Sequence, residues 1–153
     1  ASADVQLTRH QRVPGAPEVT WPFLADPVQI SQWSPWLRDV SVPEGGGVAS
    51  VGSRYDVSLQ VDSQNLETSM VLTAFENGHR IGWALEFPEG VRVHDVREEV
   101  QLEPADGDTR ISYTLRYRVL GVPARVVHLT AMAGFFKAVA DESISGLTAF
   151  CTQ

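Results

Sequence analysis

The amino-acid sequence predicts an α+β fold in which a curved antiparallel sheet of about seven strands wraps around one long C-terminal helix. Three observations lead to this prediction. Apolar and polar residues alternate through most of the middle of the chain, which is typical of strands with one buried face. Segments rich in Gly, Asn, Asp and Pro separate these strands, as in antiparallel hairpins. Over the last roughly 30 residues, apolar side chains instead recur every three or four positions, which indicates a helix.

The composition indicates one globular domain. The 153 residues are 43% hydrophobic and 20% charged, which is ordinary for a domain with its own core. The net charge of -7 argues against nucleic acid or an anionic membrane as a partner, because both require a basic surface. No stretch approaches the length of a membrane span. Cys151 is the single cysteine and residues 1–10 lack a signal-peptide pattern, so we expect a cytoplasmic location.

The first part of the chain predicts one strand and two short helices. Weak alternation over residues 4–12 indicates the strand. Residues 18–25 have near-helical spacing, with Pro22 in a first turn or at a kink. Asp26 is a good N-cap for a second short helix, which Ser34 and Pro35 end.

The middle of the chain predicts six further strands. Asn77-Gly78 is the strongest hairpin signal, and residues 105–108 (ADGD) indicate another hairpin. Residues 43–47 (PEGGG), 62–65 (DSQN) and 88–90 (PEG) are the other predicted loops and turns. The predicted strands cover residues 37–42, 51–61, 66–75, 81–87, a segment that includes 96–102, and 109–119.

The C-terminal segment predicts a helix from about Val122 to Cys151 that crosses the whole domain. The small residues Ala133 and Ala140, on either side of Phe136, either let the sheet approach closely or leave a space beneath the helix. A curved sheet around such a helix is expected to enclose an apolar chamber, which is a common type of ligand site. The apolar stripe consists of Val122, Val126, Leu129, Ala133, Phe136, Ala140, Ile144, Leu147 and Cys151.

Two polar residues interrupt an otherwise apolar strand face. By strand parity, His94 and Glu98 share the face of Val96, Val100 and Leu102, which a plain core would not select. The two side chains are about 13 Å apart along the strand, but each could act as an acid or base toward an oxygen atom of a ligand. A second interpretation is also open, in which a bulge shifts the register and both side chains face water.

Aromatic residues supply the other candidate site positions. Tyr55 is a candidate catalytic residue, and Tyr113 and Tyr117 are candidate ligand-binding residues. A tyrosine hydroxyl can orient or protonate a phenol or enol. The alternative is that these tyrosines only pack in the core. Trp33, Trp36 and Trp83 form a predicted aromatic wall, with core anchoring as the alternative. From the helix, Leu129, Ala133 and Phe136 are expected to line the chamber.

No pattern in the sequence predicts a metal or a cofactor. The four histidines lack metal-ligand spacing, and the chain has neither a Gly-x-Ser-x-Gly elbow nor a phosphate-binding loop.

Several segments resemble the START/Bet v 1-like (SRPBCC) superfamily, and its polyketide cyclase/dehydrase branch in particular. The similar segments are residues 16–27 (APEVTWPFLADP), 33–36 (WSPW), 72–76 (LTAFE), 80–83 (RIGW), 102–104 (LEP) and 107–113 (GDTRISY). The resemblance spans nearly the whole chain and implies the helix-grip fold. For function it implies a range, because the superfamily holds aromatase/cyclases, lipid and hormone carriers, ligand-binding regulators and chaperone activators.

Two functions follow as expectations. The first is a cofactor-independent cyclase or dehydratase that folds a hydrophobic, polyketide-like intermediate inside the chamber. The second is a carrier or sensor that binds a hydrophobic small molecule without converting it. In both cases the partner is a small molecule, and the protein is a monomer or a homodimer.

Overall fold

The structure is a computed structural model that describes residues 2–42, 49–61, 63–87, 93–120 and 126–152, with the backbone alone for residues 2–3, 120 and 126–132. Seven strands form one antiparallel sheet, and a 26-residue helix follows the last strand. The strands are β1 (Ser2–Val13), β2 (Leu37–Ser41), β3 (Arg54–Val61), β4 (Gln64–Glu76), β5 (Arg80–Leu85), β6 (Val93–Ala105) and β7 (Asp108–Leu120). The helices are α1 (Pro17–Thr20), two 3₁₀ helices (Trp21–Phe23 and Pro27–Gln32) and α2 (Val126–Cys151).

The sheet has the order β1-β7-β6-β5-β4-β3-β2, so strands β2 to β7 form a continuous meander. Between β6 and β7, Asp106 and Gly107 have φ angles of 50° and 87°. Two consecutive positive φ angles are what a tight two-residue hairpin turn requires, and Asp-Gly is among the sequences that adopt it most readily. The ADGD segment therefore forms the hairpin that its sequence predicts.

Alternate side chains of the strands point to the inner face of the sheet, which packs against α2. On β7, Ile111, Tyr113 and Leu115 are buried, whereas Arg116 and Arg118 are exposed. This is the one-faced pattern expected of an antiparallel sheet. Among residues 133–151 of α2, the buried side chains are Phe136, Val139, Ala140, Ser143, Leu147 and Cys151.

The first predicted helix, at residues 18–25, differs from the structure. The chain instead makes the single turn α1 and then a 3₁₀ helix at Trp21–Phe23. Pro22 explains the difference, because it has no N–H to donate to a longer α-helix. Asp26 caps the second 3₁₀ helix as predicted, and its Oδ1 accepts a hydrogen bond from the Val28 N–H at 3.1 Å.

Some boundaries also differ from the predicted ones. Strand β3 begins at Arg54 because residues 51–52 form a turn in which Gly52 has φ of 94°. The predicted loop at 43–47, the turn at 88–90 and the first predicted helical residues, 122–125, lie outside the described residues. Among the residues that are described, we find no helix with both the length and the apolar character needed to cross a membrane.

Candidate functional site

The candidate site is centred on Glu98, which projects from β6 into the interior. Glu98 is 1% exposed, and it shares the inner face of the strand with the buried residues Val96, Val100 and Leu102. A carboxyl group is rarely buried unless several donors compensate the loss of water. Glu98 is therefore the position at which the inner face departs most from a plain core.

Three donors from three parts of the chain surround the Glu98 carboxyl group. The indole N–H groups of Trp36 and Trp83 donate to Oε1 at 3.0 and 2.9 Å. The hydroxyl of Tyr113 donates to Oε2. Trp83 lies directly opposite Glu98 in the β5–β6 register, and Trp36 immediately precedes β2. Both oxygens are thus held by the protein itself.

The electrostatics of this group favour proton exchange. Burial raises the pKa of Glu98 above its ordinary value, and the hydrogen bonds from Tyr113, Trp36 and Trp83 offset that rise only in part. All three donors are neutral side chains, and none of the ion pairs between described residues includes Glu98. Burial, together with the negative charge of Glu98, raises the pKa of Tyr113 well above its usual range, which keeps the phenol protonated.

Ser143 on α2 is a further polar member of the site. Its side chain is fully buried, and the hydroxyl lies close enough to Tyr113 to lower the pKa of the phenol. The two groups do not meet the geometry of a regular hydrogen bond, and Oγ has no other partner among the described residues. A buried hydroxyl without a partner is uncommon and can receive a hydrogen bond from a ligand or a water molecule.

Aromatic rings cover the site from the helix side. Phe136 of α2 contacts the ring of Trp36 edge-on at 5.9 Å and stacks on Tyr117 at 3.9 Å between ring centroids. Trp33 lies 6.0 Å from Trp83, also measured between centroids. Edge-on and stacked contacts of this kind stabilise a cluster beyond the area that it buries. The result is an aromatic lining around one carboxyl group.

The structure corrects the expectation for His94. The β6–β7 register shifts between His94 and Arg97, where Asp95 adopts a φ of 52°. This bulge reverses the alternation, so His94 is exposed on the outer face while Glu98 points inward. The bulge that we considered is therefore present, but it exposes only one of the two residues. The sequence signal was weak, because aspartate merely tolerates the left-handed conformation.

The remaining predicted residues divide into two groups. The first group is buried and is linked to Glu98 directly or through one or two ring contacts: Trp33, Trp36, Trp83, Tyr113, Tyr117 and Phe136. Tyr55 is buried on β3, where burial and the charge of Asp26 raise its pKa, and it makes no hydrogen bond to Glu98. Ala133 is half-buried on α2, and the side chain of Leu129 lies outside the described residues.

Sequence reasoning missed Ser143, although a signal was present. Ser143 is seven residues after Phe136 and four before Leu147, so it belongs to the buried stripe of the helix.

The enclosed apolar chamber itself remains a prediction. Three grooves bounded by described residues, with volumes of about 590, 170 and 360 Å³, involve the outward-facing side chains of the sheet.

Comparison with known proteins agrees with this architecture. The family model described as "Polyketide cyclase / dehydrase and lipid transport" matches residues 4–150. The chain belongs to this family. The predicted membership of the START/Bet v 1-like superfamily and the predicted helix-grip fold are both confirmed. No curated protein matches the chain.

Solved structures show the same fold at low sequence identity. Ara h 8.0201 is 17% identical, with 94% of this chain and 99% of that chain covered and a TM-score of 0.60. A protein from Nitrosospira multiformis is 18% identical, with 97% of each chain covered and a TM-score of 0.70. The ginseng major latex-like protein 151 from Panax ginseng is 13% identical, with 91% and 94% covered and a TM-score of 0.66.

Proposed function

We propose that this protein is a cofactor-independent enzyme of the cyclase or dehydratase type, which acts on a hydrophobic, oxygen-bearing, polyketide-like intermediate held between the sheet and α2. The observation that carries the proposal is the Glu98 carboxyl group, which is buried among aromatic rings, has a raised pKa and has no cationic partner among the described residues. The proposed enzyme acts in the cytoplasm as a monomer or a homodimer.

The geometry gives each oxygen of Glu98 a different role in this proposal. Two indole N–H groups hold Oε1, so the orientation of the carboxyl group is fixed. Among the described residues, Oε2 accepts a hydrogen bond from the hydroxyl of Tyr113 alone, and it is the atom that exchanges a proton. A carboxylate with a raised pKa is a stronger base than an ordinary glutamate and is better matched to proton transfer near neutral pH.

The proposed reaction is an intramolecular condensation. Oε2 accepts a proton from an activated carbon between two carbonyl groups, and the resulting enolate carbon attacks a second carbonyl carbon of the same substrate. The new alkoxide takes the proton back from Glu98, directly or through the Tyr113 hydroxyl. Elimination of this hydroxyl group as water, with a neighbouring C–H proton, completes a dehydration. The aromatic lining excludes solvent and restricts the conformations of the chain.

The test compares three forms of the protein with a poly-β-ketone thioester analogue, and product formation is followed by liquid chromatography with mass spectrometry. We expect Glu98→Gln to lower the rate about 10²- to 10⁴-fold, because the amide cannot accept the proton. The amide still suits the site, since Oε1 can accept both indole N–H groups and Nε2 can donate to Tyr113. His94→Gln is the matched control on the same strand and should retain wild-type activity. Equal rates for wild type and Glu98→Gln would exclude the catalytic role.

A carrier function is the second candidate, and one observation favours it. Both oxygens of Glu98 are already hydrogen-bonded to protein donors, so the residue can serve to anchor Trp36 and Trp83 rather than to react. The description of the family also includes lipid transport. Native mass spectrometry of the purified protein separates the two functions. A hydrophobic molecule bound one per chain and recovered unchanged after long incubation would support the carrier.

A further inference from the structure

A groove of about 590 Å³ runs along the outer face of the sheet where β1, β7 and β6 lie side by side. We call it the arginine groove. Besides the buried Tyr117, which stacks on Phe136, its polar side chains are exposed on the outer face of the sheet. They are Asp4, Gln6, Asp95, Arg97, Arg116 and Arg118.

The β6–β7 hairpin places two arginines directly opposite each other. Arg97 and Arg116 form the last pair of the hairpin register, next to the register shift that involves Asp95. Directly opposed residues have their Cβ atoms about 5 Å apart, and like charges at this distance destabilise a sheet. Aspartate with a positive φ adds backbone strain at the same point. Strained bulges of this kind are typical of positions that aim a side chain at a partner.

The carboxylates of the groove do not neutralise this pair. Arg118 forms ion pairs with both carboxylates. Its Nε lies 2.7 Å from Asp4 Oδ1 and its Nη1 lies 3.3 Å from Asp95 Oδ2. Arg116 donates through Nε to the neutral Gln6 at 3.0 Å. Within the described part of the chain, Arg97 forms no ion pair. The groove therefore carries two uncompensated guanidinium groups in a chain with a net charge of -7.

Other arginines of the sheet provide a contrast. Arg9, Arg12, Arg54 and Arg80 each lie within 3.4 Å of an aspartate or glutamate oxygen. Among the described residues Arg38 and Arg110 also form no ion pair, so the local feature is that Arg97 and Arg116 lack a carboxylate partner and lie directly opposite each other. The two residues also line a second, smaller groove of about 170 Å³ on the outer face, where Thr73 and Thr114 add hydroxyl groups.

We propose that the arginine groove binds an oxyanion carried by a small molecule, of the phosphate ester or polycarboxylate type. Guanidinium groups on two directly opposed residues can each donate two parallel hydrogen bonds to anionic oxygens. An anion between them would remove the repulsion between Arg97 and Arg116. The volume of the groove leaves room for the remainder of the molecule beyond the anionic group. Its charged groups lie on the opposite face of the sheet from Glu98, and Tyr117 is the residue that borders both sites.

The test is a titration of the full chain with pyrophosphate at low salt. Binding is measured by isothermal titration calorimetry and by the changes in amide chemical shifts. We expect saturable binding, with the largest shifts in β6 and β7. Arg97→Gln and Arg116→Gln should each weaken binding about tenfold, because each removes charge-assisted hydrogen bonds. Arg110→Gln is the matched control. Arg110 is exposed on the outer face of the same strand, opposite Glu103, and its loss should change the affinity less than twofold.

A parallel titration with citrate distinguishes the two sources of the oxyanion. Tighter binding of citrate with the same dependence on Arg97 and Arg116 would support the site and assign it to polycarboxylates, whereas tighter binding of pyrophosphate would assign it to phosphate esters. The proposal is overturned if neither anion saturates by about 10 mM. It is equally overturned if Arg110→Gln weakens binding as much as the other two variants. Neither result would affect the proposed interior function.

Discussion

Among the described residues, the donors to the Glu98 carboxyl group are all neutral, and this determines how the interior responds to pH. Two indole N–H groups and one phenol hydroxyl replace the water that the carboxylate loses on folding. Neutral donors restore only part of the lost hydration energy, whereas a cationic partner would restore more. The protonated carboxyl group is therefore favoured in the folded state more than in the unfolded state.

This argument predicts how stability varies with pH. The pKa of Glu98 is raised above its ordinary value of 4.5, so native protein keeps the proton where the unfolded chain has lost it. The resulting stabilisation is fully present below the unfolded pKa and is lost as pH rises through the folded pKa. The unfolding free energy of wild type relative to Glu98→Gln should thus fall by up to about 1.4 kcal/mol per pH unit in that window. Urea unfolding at a series of pH values measures it.

The control for this experiment is Glu103→Gln, which removes an exposed carboxyl group from the same strand. Its unfolding free energy, measured over the same pH range, reports the effect of a surface carboxylate. The opposite result would be a rise with pH in the unfolding free energy of wild type minus that of Glu98→Gln. It would mean that the folded-state pKa of Glu98 is lowered, and our account of the site would be wrong.

Single residues were predictable where alternation is unbroken. Trp83, Tyr113 and Tyr117 follow the period of their strands, and the structure places all three in the interior. His94 was not predictable, because one bulged residue reverses every side chain before it and Asp95 carries no distinctive signal. The hydrogen bonds to Glu98 were not predictable either. Strand parity predicts which face of the sheet a side chain points to, but it does not predict the hydrogen-bond partner.

At the scale of elements, the contact between α2 and the chain after the second 3₁₀ helix depends on one glycine. A Cβ atom at Gly146 would overlap the carbonyl oxygen of Trp33 and lie 3.2 Å from its carbonyl carbon. Both atoms belong to the backbone, which cannot turn aside as a flexible side chain can. The absence of a side chain at Gly146 thus lets the helix approach Trp33, whose ring contacts Trp83.

Two glycines of α2 are therefore expected to respond to alanine in opposite ways. Gly146→Ala should destabilise the protein by about 1–3 kcal/mol, because the added methyl group forces the helix and the Trp33 backbone apart. Gly134→Ala should stabilise it by up to about 1 kcal/mol through helix propensity, since nothing lies within 4 Å of the added Cβ. Thermal and urea unfolding of both variants test this. Equal stabilisation by the two substitutions would contradict the close approach.

Element types were predictable from periodicity, and local backbone chemistry explains the differences. The long helix and all seven strands follow from repeats of 3.6 and 2 residues. The short helices were predicted in the right places, but Pro22 and Pro27 occur where the chain forms 3₁₀ rather than longer α-helical turns. A bulge such as that in β6 adds one residue to one strand, which a two-residue repeat cannot reveal.

At the scale of the whole molecule, the sheet separates two chemically different surfaces. Its inner face carries aromatic rings around Glu98, and its outer face carries arginines with partly compensated charge. The fold class was predictable because the hydrophobic pattern determines which face is buried. The assembly of the site was not, since residues 36, 83, 98, 113 and 143 are distant in sequence and meet only through tertiary packing.

One hydrophobic core connects the sheet, the short helices and α2, which leads to a prediction about unfolding. The core cluster extends from Val13 in β1 to Cys151 at the end of α2 and includes all four tryptophans. A single shared core favours one cooperative transition. We expect urea unfolding curves from tryptophan fluorescence and from far-ultraviolet circular dichroism to have the same midpoint. Gly146→Ala should move both curves together, because the contact that it breaks belongs to the same unit. A fluorescence change that precedes the loss of helix and strand signal would instead show that α2 undocks first.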